Sequence, residues 1–512
     1  MPKEAVIWVT IGVYFAFMLV IGLISSRHTN SMGEFTVGGR NAGAWTSALS
    51  YGTAYFSAVM FIGYAGGTGW KYGLWGVLPG IGNAVFGSLL AWLVLARRTR
   101  SATRRMKIKS MPQFFDKRFV SSPMKLFATF VIFIFLLPYS ASVYKGLTSV
   151  CAVLLKVDER ICMVVIALAA MAVVVLGGYA ATLKADFVQG IIMLVGVTAL
   201  IVAVVRCETV GGLQAGLAAI SAKTGELNLG LKEHLGLWAT VLMTSFGTWG
   251  LPQMIHKYYG IRDDKEVKRG TVISTLFALL VAGGCYFLGG FGRLFSDQID
   301  VAANGYDSII PTMLSGLPDL LMAVVVILVL SASMSTLSSL VLASSSTLTL
   351  DFLKDHFIKD MDEKRQIRII RGLIVVFIAI SVVLAIIQYR SSVTFIAQLM
   401  GVSWGALAGS FLAPFLYGLY WKKTTKAACW ASFLFGSGIM TLNLISTSTG
   451  WFAFPTLLQS SINCGAFAML AGLVIVPVVS LFTKKPDQAM VDEAFSCYEK
   501  KAPVSQKNAL SE

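Results

Sequence analysis

Ser331-Ala332-Ser333-Met334-Ser335-Thr336-Leu337-Ser338-Ser339 is a hydroxyl-rich stretch inside an otherwise apolar segment. It follows the purely apolar run 320–330 and continues to Asp351, so the whole segment is long enough to span a bilayer as a helix. On a helix, positions 332, 335, 336 and 339 share one face. Neutral oxygens gathered on one face suit a desolvated Na⁺. Alternatively, the hydroxyls bond to carbonyls one turn earlier or allow close helix packing.

The composition indicates an integral membrane protein. Of the 512 residues, 56% are hydrophobic and 13% are charged, whereas a soluble globular protein has about 25% charged residues. The net charge of +16 does not indicate a nucleic-acid partner, because the basic residues lie between apolar spans. The seven Cys form no CxxC pair and the four His are scattered. We therefore expect a lipid bilayer as partner, no cofactor and no enzymatic activity.

The apolar runs predict an all-α protein with thirteen membrane spans in one transmembrane domain, residues 1–483, followed by a polar cytoplasmic tail, residues 484–512, which we expect to be a mobile end. The first span is expected to be retained, because no signal-peptide cleavage site follows it. The predicted spans are 5–25, 44–70, 73–96, 124–154, 160–179, 185–206, 237–256, 271–293, 317–350, 369–388, 393–420, 427–447 and 462–483.

Lys and Arg residues are concentrated in the loops on one side of this topology. They crowd residues 97–109, 257–269, 354–368 and 422–426, while the opposite loops carry few. The positive-inside rule makes the crowded side cytoplasmic. We therefore predict a cell-membrane protein whose N-terminus lies outside and whose C-terminus lies inside.

Two spans are predicted to be interrupted helices. The second contains Gly52 and a run of further glycines after Ser57, and the seventh reads Gly247-Thr-Trp-Gly-Leu-Pro252. Glycine weakens a helix and proline removes a hydrogen bond, so carbonyls are freed at membrane depth. After the first span, the two interrupted helices open two successive groups of five spans, 44–206 and 237–420. Such an inverted repeat is typical of secondary transporters with a midplane site; harmless kinks are the alternative.

Charged residues inside spans mark further candidates, because they are costly in lipid. Asp186 lies near the cytoplasmic end of the sixth span, with Lys184 either as its partner or extending to the interface. Two roles are considered for Lys145 in the fourth span, namely contact with a solute carboxylate and a position at the outer interface.

These residues resemble the sodium:solute symporter family, which includes bacterial proline and pantothenate carriers and animal sodium–glucose and sodium–monocarboxylate carriers. The resemblance covers nearly the whole chain. It implies the leucine-transporter-like five-plus-five fold, with one extra N-terminal helix at 5–25 and two extra C-terminal helices within 427–483. The motifs that carry it are Val37-Gly-Gly-Arg40, Phe61-Ile-Gly63, Lys71-Tyr-Gly73, Gly177-Gly178 with Asp186 and Gln189, Gly250-Leu-Pro252, Met334-Ser-Thr-Leu-Ser338 and Gly418-Leu-Tyr-Trp-Lys-Lys423 with Ala427.

The resemblance also assigns ion and solute sites to this sequence. The main sodium site would use the backbone carbonyls of Thr53, Phe56 and Ala332 and the hydroxyls of Ser335 and Thr336. A second sodium site, found in some family members, would use Asp186, Ser338 and Ser339, with Ser335 shared. The residues expected to line the solute cavity are Tyr55, Met60, Tyr139, Thr248 and Trp249.

The family resemblance implies Na⁺-driven import of a small organic solute, carboxylate or amino-acid-like, by alternating access. Proline carriers have an aspartate where this chain has Tyr55, and sugar carriers have a glutamine where it has Met60. Around Ser57, Tyr72 and the stretch from Gly250 to Arg269 the likeness is to pantothenate and monocarboxylate carriers. A proton-coupled symporter that uses Asp186 remains an alternative. A transporter-like sensor is disfavoured, because the short tail offers no output module.

Overall fold

The computed structural model describes residues 3–26, 31–155, 157–358, 361–390 and 396–499. Throughout these ranges the regular structure is helical, and the β-structure consists of one bridge between Ala42 and Ile261. The predicted all-α class is therefore confirmed. Within the described ranges, ten helices are long and apolar enough to cross a membrane. The count of thirteen spans stays a prediction. The interrupted seventh span is not among these ten helices, and the longest of the ten contain more than one predicted span.

The N-terminal part of the chain holds the first interrupted helix and the long helices that pack around it. A π-helical segment, Val59–Ala65, leads into α4, and two more, Asn83–Leu90 and Trp92–Ala96, join α5 to α6. The helices are α1 (Lys3–Ser26), α2 (Met32–Val37), α3 (Ala44–Tyr55), α4 (Gly66–Tyr72), α5 (Leu78–Gly82), α6 (Arg97–Arg105), α7 (Met111–Phe119), α8 (Ser122–Leu155) and α9 (Glu159–Arg206).

Gly178 divides α9 into two helical segments. Its backbone has φ of +55° and ψ of −148°, a conformation that an L side chain rarely adopts. A Cβ at this position would also lie 2.7 Å from the ring of Phe35. The chain therefore changes direction here, between the predicted fifth and sixth spans.

The second part of the chain repeats the pattern of an interrupted helix followed by long apolar helices. Two π-helical segments, Leu279–Gly283 and Leu348–Phe357, extend α13 and α17. The helices are α10 (Leu213–Gly225), α11 (Leu231–Phe246), α12 (Pro252–Lys257), α13 (Asp264–Ala278), α14 (Gly284–Gly290), α15 (Val301–Asn304), α16 (Ile309–Ser315), α17 (Asp319–Thr347), α18 (Glu363–Arg390), α19 (Ile396–Tyr420), α20 (Lys426–Thr449), α21 (Ser461–Phe482) and α22 (Gln488–Glu499).

The hydroxyl-rich stretch lies in α17, at the centre of the molecule. This helix packs against α1, α3, α8, α9 and α18, and all of its residues from Leu328 to Thr347 are buried. A buried helix can be polar on more than one face only where its hydroxyls find partners or bind something. The packing of α17 against α3 is what brings the hydroxyl face to the first helix break.

The tail after Lys484 differs from the prediction of a mobile polar end. Residues Gln488–Glu499 form a packed helix, because Val491, Ala494 and Phe495 recur at helical spacing and are buried together. The helix lies beside α6 and α7. The prediction missed a short amphipathic pattern, and residues 500–512 of the predicted tail lie outside the described ranges.

Candidate functional site

Both predicted helix breaks are present. The first helix stops at Tyr55, and Phe56 is extended, with φ of −84° and ψ of 121°. The second passes through a 3-10 turn, Gly247–Trp249, to an extended Leu251 with the same angles. Pro252 then begins α12, where its missing N–H is no loss. A Cβ on Gly250 would lie 2.7 Å from Cα of Ala408, so only glycine allows the break to pack on α19.

Thr336 faces the first break. Its Oγ1 donates to the carbonyl of Ala332 at 3.0 Å and lies 3.4 Å from the carbonyl oxygen of Thr53 and 3.3 Å from that of Phe56. The carbonyl oxygen of Ala54 is 3.5 Å away. These separations exceed those of good O–H···O hydrogen bonds, about 2.7–2.8 Å. Four of the five residues of the predicted main sodium site thus bring oxygens to one buried point.

Ser335, the fifth residue of that site, is turned toward Asp186. Its hydroxyl donates to Asp186 Oδ1 at 2.6 Å. Because the proton goes to a carboxylate, the lone pairs of the serine oxygen stay available, and the carboxylate makes that oxygen a better donor to a cation. Ser335 therefore connects the oxygens around Thr336 with Asp186.

The partner of Asp186 is Lys257, so of the two alternatives for Lys184 the pairing with Asp186 is not the one observed. Lys257 Nζ lies 3.0 Å from Asp186 Oδ2, with both side chains at most 2% exposed. The hydroxyl of Ser50 donates to the same carboxylate oxygen at 2.5 Å and accepts from Lys257 at 2.9 Å. Lys184 is exposed instead. The break that restarts α12 carries Lys257 into the interior, although the sequence places it beside the basic loop 257–269.

The other residues of the predicted second site are buried on the same helix. Ser338 is 5% exposed and Ser339 is 6% exposed. The Ser339 hydroxyl makes no hydrogen bond in the structure. The hydrogen bonds of the Asp186 carboxylate go to Ser50, Lys257 and Ser335. The second set is therefore only partly gathered, and a lysine that sequence reasoning overlooked lies within it.

Trp404 of α19 lies at the centre of the predicted solute site, although sequence reasoning missed it. Its ring centroid is 6.2 Å from that of Tyr55 and 5.8 Å from that of Tyr139. Its ring also covers Gly247 of the second break, where an added Cβ would meet it at 2.7 Å. The hydroxyls of both tyrosines and the indole N–H are buried without a hydrogen bond of good geometry. Such orphaned groups are suited to binding a polar solute.

The remaining predicted cavity residues make contacts within the protein. The Met60 sulfur lies 3.8 Å from Asn83 Nδ2. The Trp249 indole N–H donates to the carbonyl of Phe86 at 2.9 Å, and Thr248 Oγ1 donates to that of Ser245 at 2.9 Å. Thr248 Oγ1 also lies 3.3 Å from the carbonyl oxygen of Gly87, which belongs with Phe86 to the π-helical segment Asn83–Leu90. Thr248 and Trp249 thus join the second break to that segment, and their polar groups are already paired.

An open cavity of about 500 Å³ lies on the side of the predicted outer loops. Gly63 and Tyr64, which follow Ile62 along the chain, line this cavity. The Tyr64 hydroxyl donates to the carbonyl of Ala397 at 3.0 Å. Its charged lining residues are three basic and one acidic, namely Lys71, Lys232, Arg293 and Glu233. Tyr55 and Tyr139 do not line this cavity and are themselves buried.

The opposite side is closed by buried arginines. Arg100 donates to the carbonyls of Ile261 and Arg262, and Arg104 donates to those of Arg40 and Ile261. These bonds join the end of α6 to the segment after α12 and to the segment before α3. The described residues therefore show a cavity among the predicted outer loops and a network of arginine hydrogen bonds at the predicted cytoplasmic end.

The two helix breaks, the buried oxygens at the first of them and the long apolar helices of the described ranges are those of a multi-pass membrane transporter. A profile of the Sodium:solute symporter family matches residues 35–436. The chain belongs to the sodium:solute symporter family, whose members are transporters and not enzymes.

Curated relatives and solved structures agree with this assignment. The osmoregulated proline transporter OpuE of Bacillus subtilis is 27% identical over 490 residues, 94% of this chain and 96% of that protein. A sodium/proline symporter of Haemophilus influenzae is 25% identical over 504 residues, 94% and 96% of the two chains.

Among solved structures, a substrate-bound, outward-open Na⁺-coupled sialic acid symporter has a TM-score of 0.76 and 14% identity, covering 94% of this chain and 99% of that one. The transporter Mhp1 in a closed conformation has a TM-score of 0.51 and 13% identity, covering 90% and 97%. At these identities the likeness concerns the fold alone. The leucine-transporter-like fold predicted from the sequence is confirmed.

Proposed function

We propose that this protein is a sodium-coupled symporter that imports a small organic solute, carboxylate or amino-acid-like, by alternating access. The observation that carries the proposal is the convergence of carbonyl oxygens from Thr53, Phe56 and Ala332 on the hydroxyl of Thr336. Hard oxygen ligands in a buried, uncharged setting suit a desolvated Na⁺. Membership of the symporter family supports the same conclusion.

Coupling follows from the position of the first break. Its carbonyls face Thr336, while its last helical residue, Tyr55, faces Trp404 and the orphaned polar groups of the solute site. Sodium that fixes the break also fixes Tyr55, so the affinities for ion and solute depend on each other. A membrane potential adds about 2.3 kcal/mol per charge per 100 mV to the driving force.

The solute class is inferred from two features, the charge of the outer cavity and the residue at position 55. The outer cavity carries three basic side chains and one acidic one, which favours an anionic or zwitterionic solute. Relatives are named proline transporters, yet the resemblance places Tyr55 where proline carriers have an aspartate. We therefore propose a carboxylate, with proline, pantothenate and short-chain monocarboxylates as the first compounds to test.

We propose that the protein lies in the cell membrane, with the N-terminus outside and the C-terminus inside. The buried Arg100 and Arg104 of α6, bonded to the segment after α12, would then close the cytoplasmic side, and the outer cavity would admit the solute. A rocking movement of the helix groups would exchange these two closures.

Uptake into proteoliposomes tests the proposal. An imposed Na⁺ gradient without a pH gradient should drive accumulation of one labelled compound from the set above. Thr336→Ala and Ser335→Ala should raise the Na⁺ concentration for half-maximal uptake at least about tenfold, the effect of roughly 1.4 kcal/mol of lost binding. Ser346→Ala is the matched control, because its hydroxyl donates to Leu342 within the same helix.

Two results would contradict the proposal. Normal sodium activation of uptake in both Thr336→Ala and Ser335→Ala would refute the proposed sodium site. Uptake that follows a pH gradient and ignores Na⁺ would favour the proton-coupled alternative. That alternative is less well supported, because protonation of Asp186 would leave the buried Lys257 without its counter-charge.

A further inference from the structure

Asp186 and Lys257 form a buried ion pair next to the proposed sodium site, and the transport scheme above gives Lys257 no role. The nitrogen and the nearer carboxylate oxygen are 3.0 Å apart. We propose that the Lys257 ammonium is a resident cation that takes the place of a second sodium ion at Asp186, so that the protein binds a single Na⁺. This inference rests on the proposed function of sodium-coupled symport.

Charge balance is the first argument. A carboxylate inside a membrane protein needs a counter-charge, because an isolated buried charge is strongly unfavourable. A bound Na⁺ would supply one positive charge, and Lys257 supplies the same charge permanently. With the pair neutral, no net negative charge is left at Asp186 to attract a second ion.

The use of the carboxylate oxygens is the second argument. Oδ1 accepts from Ser335, while Oδ2 accepts from Ser50 and from Lys257. The ammonium also donates to Ser50 at 2.9 Å, so two oxygens hold it. Its nitrogen lies 5.3 Å from the centre of the Tyr179 ring, within the range of a cation–π contact. The side chains therefore surround the nitrogen as ligands would surround an ion.

The position of Lys257 determines how replacing a second sodium ion by the lysine ammonium affects transport. It is the last residue of α12, the second half of the second broken helix, whereas Asp186 belongs to α9 and Ser50 to α3. A sodium ion at this position would be released with the solute in each cycle. A lysine stays with the protein, so the gradient contributes the work of one ion per cycle, and one positive charge fewer crosses the membrane.

The number of bound sodium ions tests the inference directly. Equilibrium binding of ²²Na⁺ to the purified full-length protein should give one ion per chain, and Thr336→Ala should remove it. Lys257→Met removes the ammonium while keeping a long side chain, and we expect it to bind two ions. The double variant Asp186→Asn with Lys257→Met should return to one ion, and Lys257→Arg should keep one.

The outcomes separate this inference from the proposed function. Two ions bound by the unaltered protein, of which one survives Thr336→Ala, would overturn the role of Lys257 and leave sodium coupling intact. A single ion in folded Lys257→Met would overturn it as well. Absence of sodium binding to the unaltered protein would instead refute the proposed function. If Lys257→Met does not fold, two ions bound by the unaltered protein would still overturn the inference, and the binding of one ion by Lys257→Arg but two by a folded neutral variant at position 257 would still support it.

Discussion

Glu266 accepts a hydrogen bond through Oε2 from the backbone N–H of Ala44, with 2.6 Å between the two atoms. Ala44 is the first residue of α3, and Glu266 lies in the first turn of α13, so the bond joins the two repeats. A carboxylate is favourable at a helix N-terminus, where N–H groups lack partners within the helix. Both residues are buried at the predicted cytoplasmic end. The bond therefore belongs to the inner closure.

Glu266→Gln should loosen this closure. A hydrogen bond to a charged group contributes about 1.5–3 kcal/mol, so hydrogen exchange of the first amides of α3 should speed up roughly tenfold or more. Hydrogen–deuterium exchange with mass spectrometry would measure it. Lys268→Gln, an exposed position on the same helix, is the control. Equal protection of α3 in both variants would show that the bond does not hold the inner end.

Trp404→Phe should weaken solute binding and leave sodium binding unchanged. The substitution keeps a ring beside Tyr55 and Tyr139 but removes an indole N–H that makes no hydrogen bond of good geometry within the described residues. Loss of one hydrogen bond to a solute should raise the KM of uptake by about 3- to 10-fold. The Na⁺ dependence should stay unchanged.

Trp249→Phe provides the comparison for Trp404→Phe. Its N–H donates to Phe86, so its removal should lower the Tm of the purified protein more than it changes KM. Equal effects of the two variants on KM would contradict the assignment of Trp404 to the solute site.

The outer cavity predicts an effect of charge on the rate of solute capture. Replacing Lys71 and Lys232 together with Gln should lower kcat/KM for an anionic solute by about threefold to tenfold at low salt, with a smaller loss at high salt. Lys184→Gln, an exposed lysine near the predicted inner end, should have no such effect. A salt-independent loss would indicate altered packing and not steering.

Asp307 predicts a pH dependence of stability. It lies in the segment Tyr306–Ser308, outside the apolar spans, and accepts from the backbone N–H of Ile396 at 3.1 Å. Burial raises the pKa of Asp307 above its ordinary value of 3.8, with a smaller opposing effect from the positive charge of Lys145. The folded protein then binds more protons than the unfolded chain between the two pKa values.

Stability should therefore fall as the pH rises from the ordinary value through the raised pKa of Asp307. Asp307→Asn should remove this part of the decline, as measured by Tm in detergent over an acidic pH series. An unchanged Tm profile in the variant would show that the folded-state carboxyl titrates like the unfolded one.

The sequence was most informative where the pattern is local. The i, i+3, i+4 spacing of Ala332, Ser335 and Thr336 indicates which oxygens share a face, and glycine with Pro252 marks the breaks. Contacts between distant elements were harder to foresee. Lys257 is 71 residues from Asp186 along the chain, and its position beside other basic residues suggested a solvated loop. The burial of Lys257 depends on where α12 begins in the fold. Pro252 marks the first turn of that helix, but it does not indicate which other helices the end of α12 contacts.

The solute site shows the same division. Tyr55 and Tyr139 were predicted to line one cavity, and each packs against Trp404 of the predicted span 393–420, which was not singled out. A tryptophan flanked by Gly401 and Gly405 is the signal that was available, because small neighbours let a large ring approach other helices. Thr248 and Trp249 were placed at the correct break, yet their polar groups are paired with π-helical carbonyls that periodicity does not predict.

The packed helix α22 bears on how the chain is assembled. Arg98, Arg118 and Lys422, which come from well-separated parts of the sequence, have their charged groups within 5.7 Å of the ring centres of Phe495 or Tyr498. The ribosome makes these rings after every membrane helix, and domains generally fold from the N-terminus during synthesis. The surface formed by the three basic residues is therefore completed last, so the docking of α22 can occur only once the preceding helices have been inserted and brought together.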